Sequence, residues 1–225
     1  MPKFLTGNAL KLLAALFMAI DHIGVVLFPR VLVLRIIGRL ALPIFAYMIA
    51  EGCKYTRNKK KYFGMIFLLA TLCQIVYFFV DGTLYLSILY TFSLSILTVY
   101  AMHNLKNRGT TGACLLFLLT VSAVWVLNLL FTIDYGFWGC MLPVFAAVFH
   151  GTKKDRLPVS IGLLGIGLVL LSLELGDSIQ LLSLAALPLL LCYNGKRGKW
   201  NLKYFFYIFY PVHLAVLQGI AWLVY

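Results

Sequence analysis

Along this chain the apolar residues fall into long blocks, separated by short polar breaks rich in lysine and arginine. The blocks cover residues 9–28, 33–52, 62–80, 86–104, 112–131, 135–150, 158–174, 178–193 and 204–224. Most approach the roughly 20 residues that an α-helix needs to cross a bilayer core. The sixth and eighth blocks are shorter, and the seventh is rich in glycine. The pattern predicts an all-α, polytopic integral membrane helical bundle of about nine transmembrane helices. No repeat, low-complexity tract or long linker interrupts it, so residues 1–225 are expected to form a single domain. The first block has no small-x-small cleavage site and holds Asp21-His22 within its apolar stretch, which predicts a retained span rather than a cleaved leader.

Composition excludes a soluble domain. Of the residues, 63% are hydrophobic and 12% charged, and a soluble chain of this length cannot hide so much apolar surface in one core. A net charge of +12 on a soluble protein would point to nucleic acid; here the positions of the cations explain it without such a partner. Lys3, Lys11, Lys54, Arg57, Lys59, Lys60, Lys61, Lys106, Arg108, Lys153, Lys154, Arg156, Lys196, Arg197, Lys199 and Lys203 all fall on one side of the expected bundle. The positive-inside rule assigns that side to the cytoplasm, which puts the N-terminus inside and the C-terminus outside a bacterial inner membrane. Five cysteines without C-x-x-C spacing read as buried thiols, and no metal site is expected.

Ionisable groups inside a span are costly and are functional candidates by default. The set here is Asp21, His22, Arg35, Arg39, Glu51 and His213. At about 1.5 Å rise per residue, His22 and Arg39 lie roughly 5 Å to the outer side of the midplane, with His213 near it. Lys11 and Glu51 lie roughly 11–13 Å to the inner side. Lys11 and His22 are eleven residues apart, so they project from nearly one helix face, some 16 Å apart along the axis. Ala14, Ala15 and Met18 stand between them, leaving room for a groove. Arg35 and Arg39 share a face at i, i+4, and Pro43, four residues on, is expected to kink the helix.

Each feature also has a structural reading. Asp21 and Arg39 serve equally as a mutually neutralising pair. His213, after Tyr210-Pro211, reads as a hydrogen-bonded packing histidine. His103 and His150 at span ends ease the helix dipole, and Lys59-Lys60-Lys61 reads as a topogenic run facing membrane lipid. What favours function is that several charges fall at one depth.

The motifs are more specific. Thr6-Gly7-Asn8 with Lys11, Asp21-His22-Ile23-Gly24, Arg35-Ile36-Ile37-Gly38-Arg39 and Pro43-Ile44-Phe45 resemble the TraX family. So do Glu51-Gly52, Thr56-Arg57-Asn58, Asp134-Tyr135-Gly136 and Tyr207-Ile208-Phe209-Tyr210-Pro211-Val212-His213-Leu214. The resemblance covers essentially the whole chain. It implies a membrane acetyltransferase that acts on the N-terminus of a conjugative pilin. It also implies a distant likeness to transmembrane acyltransferases, which carry acetyl groups from cytoplasmic acetyl-CoA to extracytoplasmic sugars. Many of those place an Arg ten intervening residues before a catalytic His in the first span; here Lys11 replaces the Arg and His22 is the His.

Transfer from a thioester needs a base for the incoming nucleophile and a donor for the oxyanion. In the reading that the resemblance implies, His22 is the base, with Asp21 orienting its ring or favouring its protonated form. Arg39 and Arg35 stabilise developing charge. Lys11, Glu51, Lys54, Thr56, Arg57, Tyr210 and His213 line the acyl-CoA path, and Asp134 and Tyr135 meet the acceptor, a pilin amine or a glycan. Two rivals come from other classes: a small-molecule permease using the same midplane charges, and a non-catalytic membrane assembly factor.

Overall fold

The computed structural model describes residues 3–82, 84–149, 157–200 and 202–224. Lys153, Lys154, Arg156 and His150 lie outside them. The described secondary structure is helical: α1 (Gly7–Val26), α2 (Leu32–Gly38), α3 (Ala41–Tyr55), α4 (Lys59–Asp81), α5 (Ile88–Arg108), α6 (Thr111–Leu130), α7 (Gly136–Ala147), α8 (Leu157–Leu175), a 3₁₀ segment (Ser178–Ala186), α9 (Leu187–Leu191) and α10 (Lys203–Val224). β-structure among these residues is limited to two isolated bridges, Leu5 with Tyr193 and Leu86 with Ile133.

Seven helical stretches among the described residues are long and apolar enough to cross a membrane, with α2 and α3 taken together as Leu32–Tyr55. The protein is therefore a multi-pass helical membrane protein, and three of the nine expected spans differ in form from single straight helices. The second is broken, because residues 39 and 40 separate α2 from α3. Pro43 has no N–H for the Arg39 carbonyl, and its ring crowds that carbonyl, so the helix breaks four residues before the proline. The sixth span, expected over 135–150, contains α7 of only 12 residues. The eighth, expected over 178–193, is a nine-residue 3₁₀ segment followed by the five residues of α9. Nine residues is long for a 3₁₀ helix.

The chain groups into two compact units, Met1–Phe45 with Asp177–Tyr225, and Ala46–Gly176. In the first, α1 packs against α2 and α10. Lys11 stands over the Phe206 ring at 6.0 Å, and farther along His22 meets His213. Both pairs advance with residue number, so α1 and α10 run in the same direction. Their starts are tied by main-chain bonds: Gly7 N–H donates to the Lys196 carbonyl (2.8 Å) and Asn8 N–H to the Arg197 carbonyl (2.9 Å). Thr6 Oγ1 accepts from Ala9 N–H as the α1 cap, and the Asn8 amide donates to the Trp200 carbonyl at 2.6 Å. The Thr6-Gly7-Asn8 motif is thus a docking joint for the basic 196–200 loop.

In the second unit, α5 packs against α4, α6 and α7, and α7 against α8. The α5 hydroxyls turn to carbonyls: Ser93 to Leu89, Thr98 to Leu94, and Ser95 to both Thr91 (2.8 Å) and Cys140 (2.7 Å). In hydrocarbon this is how a polar side chain is kept from the cost of an empty valence.

Candidate functional site

The polar cluster of the first unit is built on the α1–α2 hairpin. Asp21 points across to α2, where Arg35 Nη1 donates to its Oδ2 at 2.6 Å, a short charge-assisted bond. The approach depends on Gly38, because a Cβ there would collide with the Asp21 carboxyl. The expected Asp21–Arg39 pair is corrected by this geometry. Arg39 instead reaches Asp177, with Nη2 at 3.4 Å from Oδ2. The helix break at residue 39 puts Arg39 in a turn, its N–H bonded to the carbonyls of Arg35 and Ile37, while Arg35 stays in the helix.

Asp177 and its neighbours join this polar cluster, although the sequence pattern did not single them out. Oδ1 of Asp177 caps the 3₁₀ segment by accepting from Ile179 N–H at 2.9 Å. Residues i and i+3 eclipse in such a helix, so Gln180 and Ser183 continue from Asp177 on one face. Both are fully buried, and neither side chain has a hydrogen-bond partner among the described residues; the same holds for Asp21 Oδ1. The three-residue spacing of Asp177, Gln180 and Ser183 within an apolar block was the available signal, visible only at a period of three.

His22 projects from the α1 face turned toward α10. Its Nδ1 lies 2.9 Å from the Met18 carbonyl and 3.1 Å from His213 Nε2. His213 Nδ1 lies 2.7 Å from the Phe209 carbonyl. The Phe209 ring stacks on the His213 ring at 4.8 Å and 10°, and Tyr210 meets it edge-on at 5.8 Å. The ring of His22 is therefore held by Met18 and His213, while Asp21 is engaged with Arg35. His213 thus stands directly beside His22, and Tyr210, 7% exposed, packs behind it.

The groove expected between Lys11 and His22 is partly filled. Ala14 and Ala15, the two flanks of that stripe, are 0% and 3% exposed. Its centre line, Lys11, Met18 and His22, stays half-buried. The other predicted donor-site residues fall in the second unit. Glu51 is buried in α3 at 8% exposure. Lys54 covers the Tyr55 ring at 4.6 Å. Thr56 N–H closes the end of α3 on the Gly52 carbonyl. Arg57 is exposed next to Asn58, whose Oδ1 caps α4 through Lys61 N–H.

Asp134 and Tyr135 also lie in the second unit, in a turn with evident structural work. Asp134 Oδ1 accepts from the Tyr85 hydroxyl at 2.6 Å, and its carbonyl accepts from Thr91 Oγ1 at 2.7 Å. Tyr135 and Gly136 are both left-handed, at φ 62° and 59°. That turn aims the first N–H groups of α7 at Glu174, whose two oxygens accept from Phe137 and Trp138 at 3.0 and 2.9 Å. Among the described residues no group of three or more His, Cys, Asp or Glu is placed to hold a metal ion.

Comparison with known proteins agrees with the motifs. No solved structure matches this chain. A Dichelobacter nodosus protein named "Probable fimbrial assembly protein FimC, serogroup H1" is 28% identical over 234 aligned residues, covering 92% of each chain. A Rickettsia prowazekii protein, "Uncharacterized protein RP591", is 50% identical over 40 residues, 18% of this chain and 16% of that one. The family described as TraX protein matches residues 6–221, nearly the full length, and this chain belongs to the TraX family.

Proposed function

We propose that this protein transfers an acetyl group from cytoplasmic acetyl-CoA to an amine or hydroxyl acceptor at the bacterial inner membrane, with His22 as general base. The observation that carries this reading is an imidazole within a membrane-spanning helix, backed by a second imidazole at 3.1 Å. The acid–guanidinium pair beside it starts from the adjacent residue, Asp21. A merely structural pair of charges has no need of the histidines.

His22 takes the proton from the acceptor N–H or O–H as that atom attacks the thioester carbonyl. Arg35, which keeps further N–H donors beyond the one given to Asp21, faces the developing oxyanion. The C–S bond then breaks, and the proton passes from His22 to the departing thiolate. Lys11, some 16 Å down the same helix, holds the CoA phosphates with Lys196, Arg197 and Lys199. The main-chain bonds from Gly7 and Asn8 fix that basic loop at the foot of α1. The motif pattern pointed to Arg57 and Lys54 for the phosphates; the 196–199 loop is the better partner because it shares the unit of Lys11.

In this reading the chain crosses the membrane nine times with its N-terminus in the cytoplasm, which keeps all its Lys and Arg residues but Arg30, Arg35 and Arg39 on the inner side. The 3₁₀ segment supports the eighth crossing. At about 2.0 Å rise per residue, its nine residues and the five of α9 extend roughly 25 Å, close to a hydrocarbon core.

The test uses purified protein in lipid nanodiscs with radiolabelled acetyl-CoA and a panel of peptide-amine and amino-sugar acceptors. Wild type should bind acetyl-CoA and label an acceptor. His22→Ala should bind with unchanged affinity and lose transfer, while Lys11→Ala should raise the acetyl-CoA KM more than it lowers kcat. Failure of wild type to bind acetyl-CoA would overturn the assignment. It would leave the second reading, a membrane assembly factor, which the name of the D. nodosus relative favours.

A further inference from the structure

The His22–His213 contact has only one self-consistent arrangement of protons. A carbonyl oxygen accepts and cannot donate, so a ring nitrogen facing one carries a hydrogen. His213 Nδ1, 2.7 Å from the Phe209 carbonyl, is therefore an N–H, and in the neutral ring His213 Nε2 is a lone pair. His22 Nδ1, 2.9 Å from the Met18 carbonyl, is likewise an N–H. The facing nitrogens, His22 Nδ1 and His213 Nε2, are then donor and acceptor at 3.1 Å. Each of the other three neutral tautomer pairs sets at least one ring lone pair against a carbonyl oxygen. Two of them also bring two lone pairs or two N–H groups together between the rings.

We propose that His213 is a positioning residue that makes His22 Nε2 the proton-accepting atom of the site. The Met18 carbonyl is also the ordinary helical acceptor of the fourth residue on, so its hold on the ring is shared, whereas His213 Nε2 is committed to His22. A proton added at His22 Nε2 preserves every bond in the chain from His22 to His213 to Phe209, and it strengthens the central one by charge. A proton added at His213 Nε2 would confront the His22 N–H. The pair thus takes up one proton, at the outer end of His22. Stacking on Phe209 and the edge contact of Tyr210 fix the plane of the His213 ring, which is what a positioning group requires. The Tyr-Pro-x-His motif thereby holds a lone pair against the first-span histidine. As a statement about catalysis this rests on the acetyl-transfer reading; as a statement about protons it does not.

The chain has four histidines, so a His103→Gln/His150→Gln background leaves only the two of interest. Protonated and bare ring nitrogens are well separated in ¹⁵N spectra of histidine-labelled protein. In nanodiscs at neutral pH, both rings should show protonated Nδ1 and bare Nε2. His213→Leu should let the His22 ring populate both tautomers, and His213→Gln, whose amide oxygen can accept in place of Nε2, should restore the single one. A His22 ring with bare Nδ1, or one whose spectrum is unmoved by His213→Leu, would overturn the proposal. In the transfer assay, His213→Leu should lower kcat 10- to 100-fold at unchanged acetyl-CoA KM, with partial rescue by Gln. Equal losses for Leu and Gln would also count against it. A wild type without transfer activity would remove the proposed function and leave the ¹⁵N spectra to decide the tautomers.

Discussion

The two units differ in which polar side chains they pair. In Ala46–Gly176, many polar contacts run from side chain to backbone, beside side-chain pairs such as Tyr85 with Asp134. Ser93, Ser95 and Thr98 donate to carbonyls within α5 or on α7, Thr91 donates to the Asp134 carbonyl, and Glu174 closes the start of α7. Met1–Phe45 with Asp177–Tyr225 also has such bonds, but adds pairs of ionisable side chains: Asp21 to Arg35, Arg39 to Asp177, His22 to His213. A hydroxyl on its own helix carbonyl closes a valence at little cost and offers nothing to a substrate. Opposed charges and paired imidazoles in a bilayer are expensive, and that cost is what marks this unit as holding the candidate site. The difference separates the candidate site from its surroundings without reference to any ligand.

The sharpest way to break the comparison is to remove one charge from the first unit. Asp21→Ala leaves the Arg35 guanidinium unpaired beside the α1–α2 hairpin. The Arg35 and Asp21 side chains are 26% and 14% exposed, and uncompensated loss of one partner of a buried pair costs about 3–5 kcal/mol. The partial exposure places the expected loss at the lower end. Thermal unfolding in detergent should show it, and the double variant Asp21→Ala/Arg35→Met should recover most of the stability but not transfer. If the double variant were as unstable as the single one, charge pairing would not be the cause.

Gly38→Ala is the next largest. Its Cβ would occupy the space of the Asp21 carboxyl, so either the hairpin opens or Asp21 turns away from Arg35. Overpacking of this kind typically costs about 1–3 kcal/mol. Transfer should fall along with stability, since the salt bridge is what the alanine displaces. A variant with wild-type melting and wild-type activity would mean that α1 and α2 approach each other more loosely than the Asp21–Gly38 contact requires.

How much of this could be read from the sequence follows the same division. The apolar blocks gave the membrane class and located most helices, because a span must be long and apolar whatever it packs against. Asp21, His22, Arg35, Arg39, Glu51 and His213 stood out as charges inside spans; all but Glu51 fall in one unit, and Glu51 lies in the other. Their partners were not legible. The choice of Arg35 over Arg39 for Asp21 depends on a helix break set by Pro43, and Asp177 reaches Arg39 across 138 residues of sequence. Gln180 and Ser183 escaped because a 3₁₀ segment places residues three apart on one face, whereas an α-helical stripe repeats every 3.6. Asp134 and Tyr135 drew attention as a motif, and the bonds of Asp134 to Tyr85 and Thr91 belong to the turn that precedes α7.

Glu174→Ala probes the other side of the comparison. It removes two bonds to the exposed start of α7 and should cost about 1 kcal/mol, the usual worth of a helix cap. Its effect on transfer should be confined to that loss of stability, with acetyl-CoA KM unchanged. A specific loss of acceptor turnover at normal stability would place Glu174 with Asp134 and Tyr135 in acceptor binding.

The smallest effect is expected at Ser95. Its Oγ lies 2.8 Å from the Thr91 carbonyl and 2.7 Å from the Cys140 carbonyl, so its one proton is shared between α5 and α7. Hydrogen bonds of this kind within membrane proteins average about 0.6 kcal/mol, because both carbonyls retain other bonding once the hydroxyl is gone. Ser95→Ala should therefore shift the melting temperature by little and leave transfer intact, even though the residue is fully buried. A loss comparable to that of Asp21→Ala would show that burial alone, and not the kind of partner, sets the cost of a polar change in this protein. The line between scaffold and site would then have to be drawn by activity measurements rather than by contacts.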